Sequence, residues 1–271
     1  TTLFRSPADS RAARRRATGC EYVGTANVFD LGGPHALAEL LALQVMMEER
    51  QVAVLAVQET KILRLSEHVA KTKLSYFGTR AYPTLHGRRS GGTGFMVREG
   101  ALDFFTFLGP RPGHKAADEH FAAQWARVHG PTSDQDLWIA SVYLPNSSRY
   151  LTPADKRLYA DAMADIDADV AFYSRKPGTV MLMGDWNARV GNPASPELAD
   201  GERGHLRTRA PALGERKCNA QGRMLLQLCH NHDLEFKSGI CEHSSGATYV
   251  GFSGNPNHNE SVVDHIVASR R

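Results

Sequence analysis

The chain has 271 residues, 42% of them hydrophobic and 23% charged, with a formal net charge of +3. This is an ordinary globular composition, with enough apolar material for one large or two small domains. The slight positive charge permits an acidic partner without requiring one. Four cysteines, Cys20, Cys218, Cys229 and Cys241, are too few and too irregularly spaced for a disulfide scaffold. They point to an intracellular, reducing compartment, the nucleus or an organelle included. Cys229-His230-Asn231-His232 and Cys241-Glu242-His243 gather zinc-capable side chains in no common zinc spacing, so no zinc is expected. No apolar run reaches the roughly 18 residues of a membrane span, and the chain reads as soluble.

Residues 1–20 carry Arg5, Arg11, Arg14, Arg15 and Arg16 against a single acid, Asp9. They read as a basic, flexible tail, with a nucleic-acid-contacting arm or a processed targeting segment as alternatives. From residue 21 onward apolar runs alternate with helical patterns. Tyr22–Val28 reads as a strand with Asn27 at its end. Leu37, Leu40, Leu41 and Val45 recur at helical spacing and predict a helix over 35–50. Val52–Val57 is a continuous apolar run, as expected of a strand buried on both faces, and it ends at Gln58-Glu59-Thr60.

Short strands are expected at 94–97, 104–108, 125–128 and 137–143, separated by Gly and Pro. Arg88-Arg89 and Gly91-Gly92-Thr93-Gly94 either touch a phosphate backbone or form a tight turn into the first of these. Thr152-Pro153-Ala154-Asp155 has the form of a helix start, and Tyr159, Met163, Ile166 and Val170 continue it as an apolar stripe. Val180–Gly184 is another buried strand. Residues 191–216 read as a long loop, a helix follows over 219–231, and strands near 247–250 and 262–267 complete the series. Trp125 and Trp138 are expected in the core, with Trp186 flanking the site. Strands interleaved with at least three helical segments indicate an α/β sandwich, which pattern alone does not separate from a doubly wound fold.

Several polar residues stand at the ends of the apolar runs: Asn27, Glu59, Tyr143, Asp185 and Asn187, with Asp264 inside the last run. Ends of strands on a rigid sheet are where sites are commonly built. The chemistry these residues could share is phosphodiester hydrolysis. A carboxylate such as Glu59 is a hard oxygen ligand suited to Mg²⁺. Asp185 could orient or deprotonate an attacking water, and Asn187 and Tyr143 could donate hydrogen bonds to phosphate oxygens. Lys61 and Arg189, each just past one of these residues, are placed to meet nucleic acid.

Five elements occur in a fixed order: Ala26-Asn27, Gln58-Glu59-Thr60, Ser141-Val142-Tyr143-Leu144-Pro145, Gly184-Asp185-Trp186-Asn187-Ala188 and Ser261-Val262-Val263-Asp264-His265-Ile266. The ordered set resembles the endonuclease/exonuclease/phosphatase superfamily, which includes DNase I and the apurinic endonucleases. Arg189-Val190-Gly191, Asn219-Ala220-Gln221-Gly222-Arg223 and Ala247-Thr248-Tyr249 make the chain look most like endonuclease domains of LINE-type (non-LTR) retrotransposons and their craniofacial-development-like relatives. The resemblance covers residues 21–271 and implies a four-layer α/β/β/α sandwich of the DNase I type. It implies Mg²⁺ (or Mn²⁺) held by Glu59 with Asn27 beside it, and Asp185 handling the water. Asn187 and Tyr143 would contact the scissile phosphate, Thr248 would support the substrate edge, and Asp264 would orient a catalytic histidine.

That histidine comes, in the family, in a Ser-Asp-His element well after the position of Asp264. Here the chain beyond Asp264 reads His265-Ile266-Val267-Ala268-Ser269-Arg270-Arg271. His265, adjacent to Asp264 on a strand, is expected to point to the opposite sheet face. The expectation is therefore a C-terminally truncated domain lacking the last strand region. Three functional readings stay open. One is a metal-dependent DNA endonuclease. Another is a catalytically inactive, co-opted fold whose protein partner covers the truncated sheet edge. The last is a phosphatase acting on small phosphoesters or phosphoinositides.

Overall fold

The computed structural model describes residues 2–5, 22–28, 31, 33–62, 69–79, 81–83, 89–111, 123–144, 153–192, 194, 196–206, 218–237, 249–250, 260–261 and 264–270. Two strand–helix–strand units set its frame. In the first, β2 (Tyr22–Asn27) leads through α1 (Ala36–Glu49) to the parallel strand β3 (Val52–Gln58). In the second, β10 (Leu137–Tyr143) leads through α2 (Pro153–Tyr173) to the parallel strand β11 (Thr179–Asp185). A parallel pair needs a crossover, and each helix supplies one while covering the outer face of its own sheet.

Antiparallel strands extend both units. β1 (Thr2–Arg5) pairs with β2, and β7 (Thr93–Arg98) lies between β3 and β4 (Leu74–Gly78), giving a five-stranded sheet in the order β1-β2-β3-β7-β4. β8 (Phe105–Gly109) and β9 (Ala123–Val128) flank β10, while β15 (Asp264–Ser269) and β12 (Leu234–Phe236) flank β11. The result is a six-stranded sheet in the order β12-β15-β11-β10-β9-β8. Two small hairpins, β5 (Tyr82–Pro83) with β6 (Arg89–Ser90) and β13 (Tyr249–Val250) with β14 (Glu260–Ser261), stand apart from the sheets.

The period-two geometry of strands distributes their side chains between layers. Val54, Ala56, Phe95, Val97, Ile139, Met181, Met183 and Ile266 meet between the two sheets. Leu55, Val57 and Met96 turn outward to α1, and Trp138, Ala140, Val142, Val180 and Leu182 turn outward to α2 and α4 (Ala220–Asn231). This is the expected α/β/β/α sandwich. β3, β10 and β11 are buried on both faces along nearly their whole length, which is why they read as largely apolar runs.

Four local expectations are corrected. On α1 the buried face is Ala36, Leu40 and Met47, leaving Leu41 44% and Val45 50% exposed. The helix is apolar on more than one face, so two stripes satisfy the same spacing. Within the segment read as a long loop, Asp200–Leu206 forms a short helix, α3. Gly201 and Gly204 weaken its helical signal. It is held instead by burial of Leu206 and by His205, whose Nδ1 lies 2.7 Å from Leu234 O. The sheet begins at Thr2–Arg5, inside the segment read as a tail. Trp186 is fully buried in the core beneath α2 rather than flanking the site, and its Nε1 donates to His265 O at 3.2 Å. Trp125 and Trp138 lie in the core as expected. Among the described residues no helix is long and apolar enough to cross a membrane.

The buried stripe of α1 gives a paired prediction. Leu40→Ala removes a fully buried side chain and should cost about 2–5 kcal/mol in urea denaturation. Leu41→Ala, one residue on, should stay within about 0.5 kcal/mol of the wild type.

Candidate active site at the carboxyl ends of the parallel strands

Toward one end of the molecule the layer between the sheets changes from apolar to polar. Following the inward-facing positions, β2 runs Val23, Thr25, Asn27, and β3 runs Val54, Ala56, Gln58. β10 runs Ile139, Ser141, Tyr143, and β11 runs Met181, Met183, Asp185. All four strands are parallel to a neighbour and all four end here, with Asn27 opposite Gln58 and Tyr143 opposite Asp185. The carboxyl ends of parallel strands are the usual place for ligands on α/β sheets.

The first polar layer is fully buried and joins the two sheets. Gln58 Oε1 accepts from Thr25 Oγ1 at 3.2 Å, and Gln58 Nε2 donates across the interface to Ser141 Oγ at 2.9 Å. The Ser141 and Thr93 hydroxyls share a hydrogen bond of 2.9 Å, and Val57 O lies 3.3 Å from each of them. Gly184 closes this layer. Its φ is +145°, and a Cβ there would stand 2.0 Å from Val142 O and 3.0 Å from Gln58 Nε2.

Above it sit the candidate residues. Asp185, 4% exposed, accepts from Asn27 Nδ2 at Oδ2 (3.4 Å) and from the Asn187 backbone N–H at Oδ1 (2.9 Å). The Asn187 side chain donates to Leu144 O at 2.7 Å. On the facing side Tyr143 OH donates to Glu59 Oε1 at 3.4 Å. Beneath the loop, Tyr159 OH donates to Trp186 O at 3.1 Å. Its own burial, and then the negative charge of Asp185, push the Tyr159 hydroxyl well above its usual range, so it remains a donor.

Backbone strain gathers at the same place. Among the described residues five non-glycine positions have positive φ, and Glu59 (54°), Lys61 (51°) and Asn187 (48°) are three of them. Such conformations cost energy and persist where the surroundings hold them. The Glu59–Lys61 turn is held by the Gly91-Gly92 turn: Thr60 N donates to Gly92 O at 3.2 Å and Lys61 N to Gly91 O at 3.0 Å. A Cβ on Gly92 would meet Thr60 Oγ1 at 2.3 Å. The glycine run is thus a tight turn into β7 that buttresses Glu59.

The structure brings together Asn27, Glu59, Tyr143, Asp185 and Asn187 of the residues singled out from sequence. Lys61 is partly buried beside Glu59, and Arg189 is exposed just beyond Asn187. Asp264 pairs in register with Asp185, although its side chain lies outside what is described, as does Thr248 altogether. His265 faces away from the cluster: it is fully buried, its Nε2 is 2.8 Å from Ala188 O, and its ring stands edge-on to Phe236. Thr25, Gln58, Thr93 and Ser141 were not assigned roles from sequence. Their signal is a polar residue at a core-facing position of an otherwise apolar strand.

A model of the Endonuclease/Exonuclease/phosphatase family matches residues 24–271. The chain belongs to this family. Compared with the curated proteins, it has no significant match. Among solved structures it is similar to a 3'-5' exonuclease from Neisseria meningitidis, at 16% identity over 91% of this chain and 86% of that one, with a TM-score of 0.60. A Neisseria 3' phosphatase bound to a product DNA hairpin matches at 14% identity over 92% and 86%, TM-score 0.56. An AP endonuclease from Archaeoglobus fulgidus matches at 11% identity over 91% and 86%, TM-score 0.55. The shared feature is the fold.

Enzymes of the endonuclease/exonuclease/phosphatase family are generally dependent on a divalent metal. Among the described residues, no three His, Cys, Asp or Glu side chains converge as a metal site. The donors present are the Glu59 and Asp185 carboxylates and the Asn27 amide. This hard, sparse oxygen set fits an ion that binds through one or two carboxylates and keeps several waters, as Mg²⁺ does. It does not resemble a closed Cys/His site. Cys229, in the zinc-capable sequence cluster, is fully buried on α4, where burial pushes its thiol up and keeps it protonated.

Gly184 provides the test of this arrangement. Gly184→Ala adds a Cβ against the Val142 carbonyl at a backbone angle that alanine disfavours. It should lower stability by at least about 2 kcal/mol in urea denaturation.

Proposed function

We propose that this protein is a divalent-metal-dependent phosphodiesterase acting on DNA, of the kind found in LINE-type retrotransposon endonucleases. The observation that carries the reading is the Asn27–Asp185–Asn187 contact set standing beside the Tyr143–Glu59 pair at the mouth between the sheets.

In this reading Glu59 holds the metal, with Asn27 beside it. When bound, the ion would polarise a phosphoryl oxygen and neutralise charge on the leaving oxygen. Asp185 orients a water for in-line attack and takes its proton. Its carboxylate is held in place by Asn27 on one oxygen and by the Asn187 backbone on the other. Asn187 spends one amide hydrogen on Leu144 O, and its second meets a phosphate oxygen as charge develops. Tyr143 orients Glu59 and faces the same phosphate. Lys61 and Arg189 on the rim would contact the backbone of the nucleic acid.

The retrotransposon branch is supported by the way its sequence elements fit together. Val190, in Arg189-Val190-Gly191, bridges to Cys218, directly before the Asn219–Arg223 helix start. The two elements form one unit beside Asp185.

Nicking of supercoiled plasmid tests the proposal. The purified protein should nick DNA with Mg²⁺ or Mn²⁺ and stop when the metal is chelated. Asp185→Asn should lose roughly three orders of magnitude or more in kcat, and Asn187→Ala roughly a hundred-fold. A folded wild-type protein that binds Mg²⁺ but leaves plasmid and oligonucleotides intact would overturn the nuclease reading. Hydrolysis of a soluble phosphomonoester in preference to plasmid would move the assignment to a phosphatase.

A further inference from the structure

We propose, on the reading of Asp185 and Asn187 as the hydrolytic pair, that Asn219 is a positioning residue that clamps the loop carrying Asn187. Asn219 precedes α4 in extended backbone, φ −85° and ψ 176°, and its Oδ1 accepts from Gly222 N at 2.7 Å. That contact alone makes it a helix cap. A cap needs no more, and Ser or Asp would serve nearly as well.

Three further contacts of Asn219 go to the loop that leaves β11. Its Oδ1 also accepts from Arg189 N at 3.0 Å. Its Nδ2 donates to Asn187 O at 3.5 Å. Its backbone N–H donates to Arg189 O at 2.9 Å. Both ends of the amide are in use, one on the helix and loop together and the other on Asn187 itself. A carboxylate lacks the donor, and a serine hydroxyl is too short to reach Gly222 and Arg189 at once.

Gly222 makes the docking possible. A Cβ there would stand 1.9 Å from Arg189 O, so the first turn of α4 lies directly against the loop carbonyl. The clamp acts on a loop that needs one. Asn187 has φ +48°, and its backbone N–H holds one oxygen of Asp185. A loop free to relax toward negative φ would swing the Asn187 side-chain amide away from Leu144 O. Small misplacements of this kind lower the chemical step more than they lower binding.

The experiment compares N219S and N219D with the wild type, reading amide hydrogen exchange by NMR, melting temperature, and kcat and KM on a DNA oligonucleotide. Both variants keep the helix cap, so Gly222 N–H stays protected and melting shifts little. In N219S the Arg189 amide loses its protection and kcat falls roughly ten-fold or more with KM little changed. In N219D, which keeps both acceptor contacts but not the donor to Asn187, Arg189 protection returns and kcat recovers only in part. Wild-type exchange and kcat in both variants, or an Arg189 amide as unprotected in the wild type as in N219S, would overturn the clamp and leave a plain cap. A wild type without hydrolysis counts against the nuclease reading instead, and Arg189 exchange then still decides the role of Asn219.

Discussion

A fully buried set of hydrogen bonds between the sheets ties the two halves of the molecule together, and its directional centre is Gln58 Nε2 to Ser141 Oγ, with Thr93 sharing the same hydroxyl. Sheet packing by apolar side chains alone tolerates sliding, because dispersion and burial are not directional. A buried amide is. Left without partners it costs more than it returns when satisfied, so Gln58 is content in one relative placement of the sheets. Thr25 on its own sheet and Ser141 on the other define that placement. Glu59 follows Gln58 directly, and Asp185 pairs with Tyr143, two residues beyond Ser141. The distance between the two candidate carboxylates is thereby tied to a contact in the core beneath them.

The same layer explains what sequence reading could and could not reach. β3, β10 and β11 were legible because strands buried on both faces are predominantly apolar. α2 was legible because Tyr159, Met163, Ile166 and Val170 form a single stripe, and all four are buried. Asn27, Glu59, Tyr143 and Asp185 stood out because they interrupt or follow those runs. Gln58 and Ser141 interrupt them too, yet a lone polar residue in a strand says nothing of its partner, and the partners here are on another sheet. Periodicity failed on α1 for a different reason: two apolar stripes share one helix, and only the sheet decides which is covered. It failed on α3 because two glycines weaken a helix that tertiary contacts hold, and on Trp186 because a large aromatic beside polar residues looks the same whether it faces the site or lies beneath it.

Glycine marks the places where the layers come closest. Gly184 lets β11 pass under Gln58, Gly92 lets one turn rest on another below Glu59, and Gly222 lets α4 touch the loop beyond Asn187. Each removes a Cβ that would stand between a supporting element and a candidate residue. The positive φ of Glu59 and Asn187 is the counterpart of this closeness. Strain at those residues is held by hydrogen bonds from neighbouring turns and strands, so the cost falls on the packing around the site.

The choice of amides over acids in the cluster has an electrostatic reason. Asn27 meets Asp185 at 3.4 Å, and Asn187 occupies the next turn. Carboxylates at those positions would set like charges against the buried Asp185 and favour protonation of one of them. The Asn27 amide supplies a donor to Asp185 without adding negative charge beside it. On the proposed reading, in which Glu59 holds the cation, neutral donors such as Asn27 and Asn187 can approach a phosphate that carboxylates in their places would repel. The chemistry therefore depends as much on where the chain withholds charge as on where it places it.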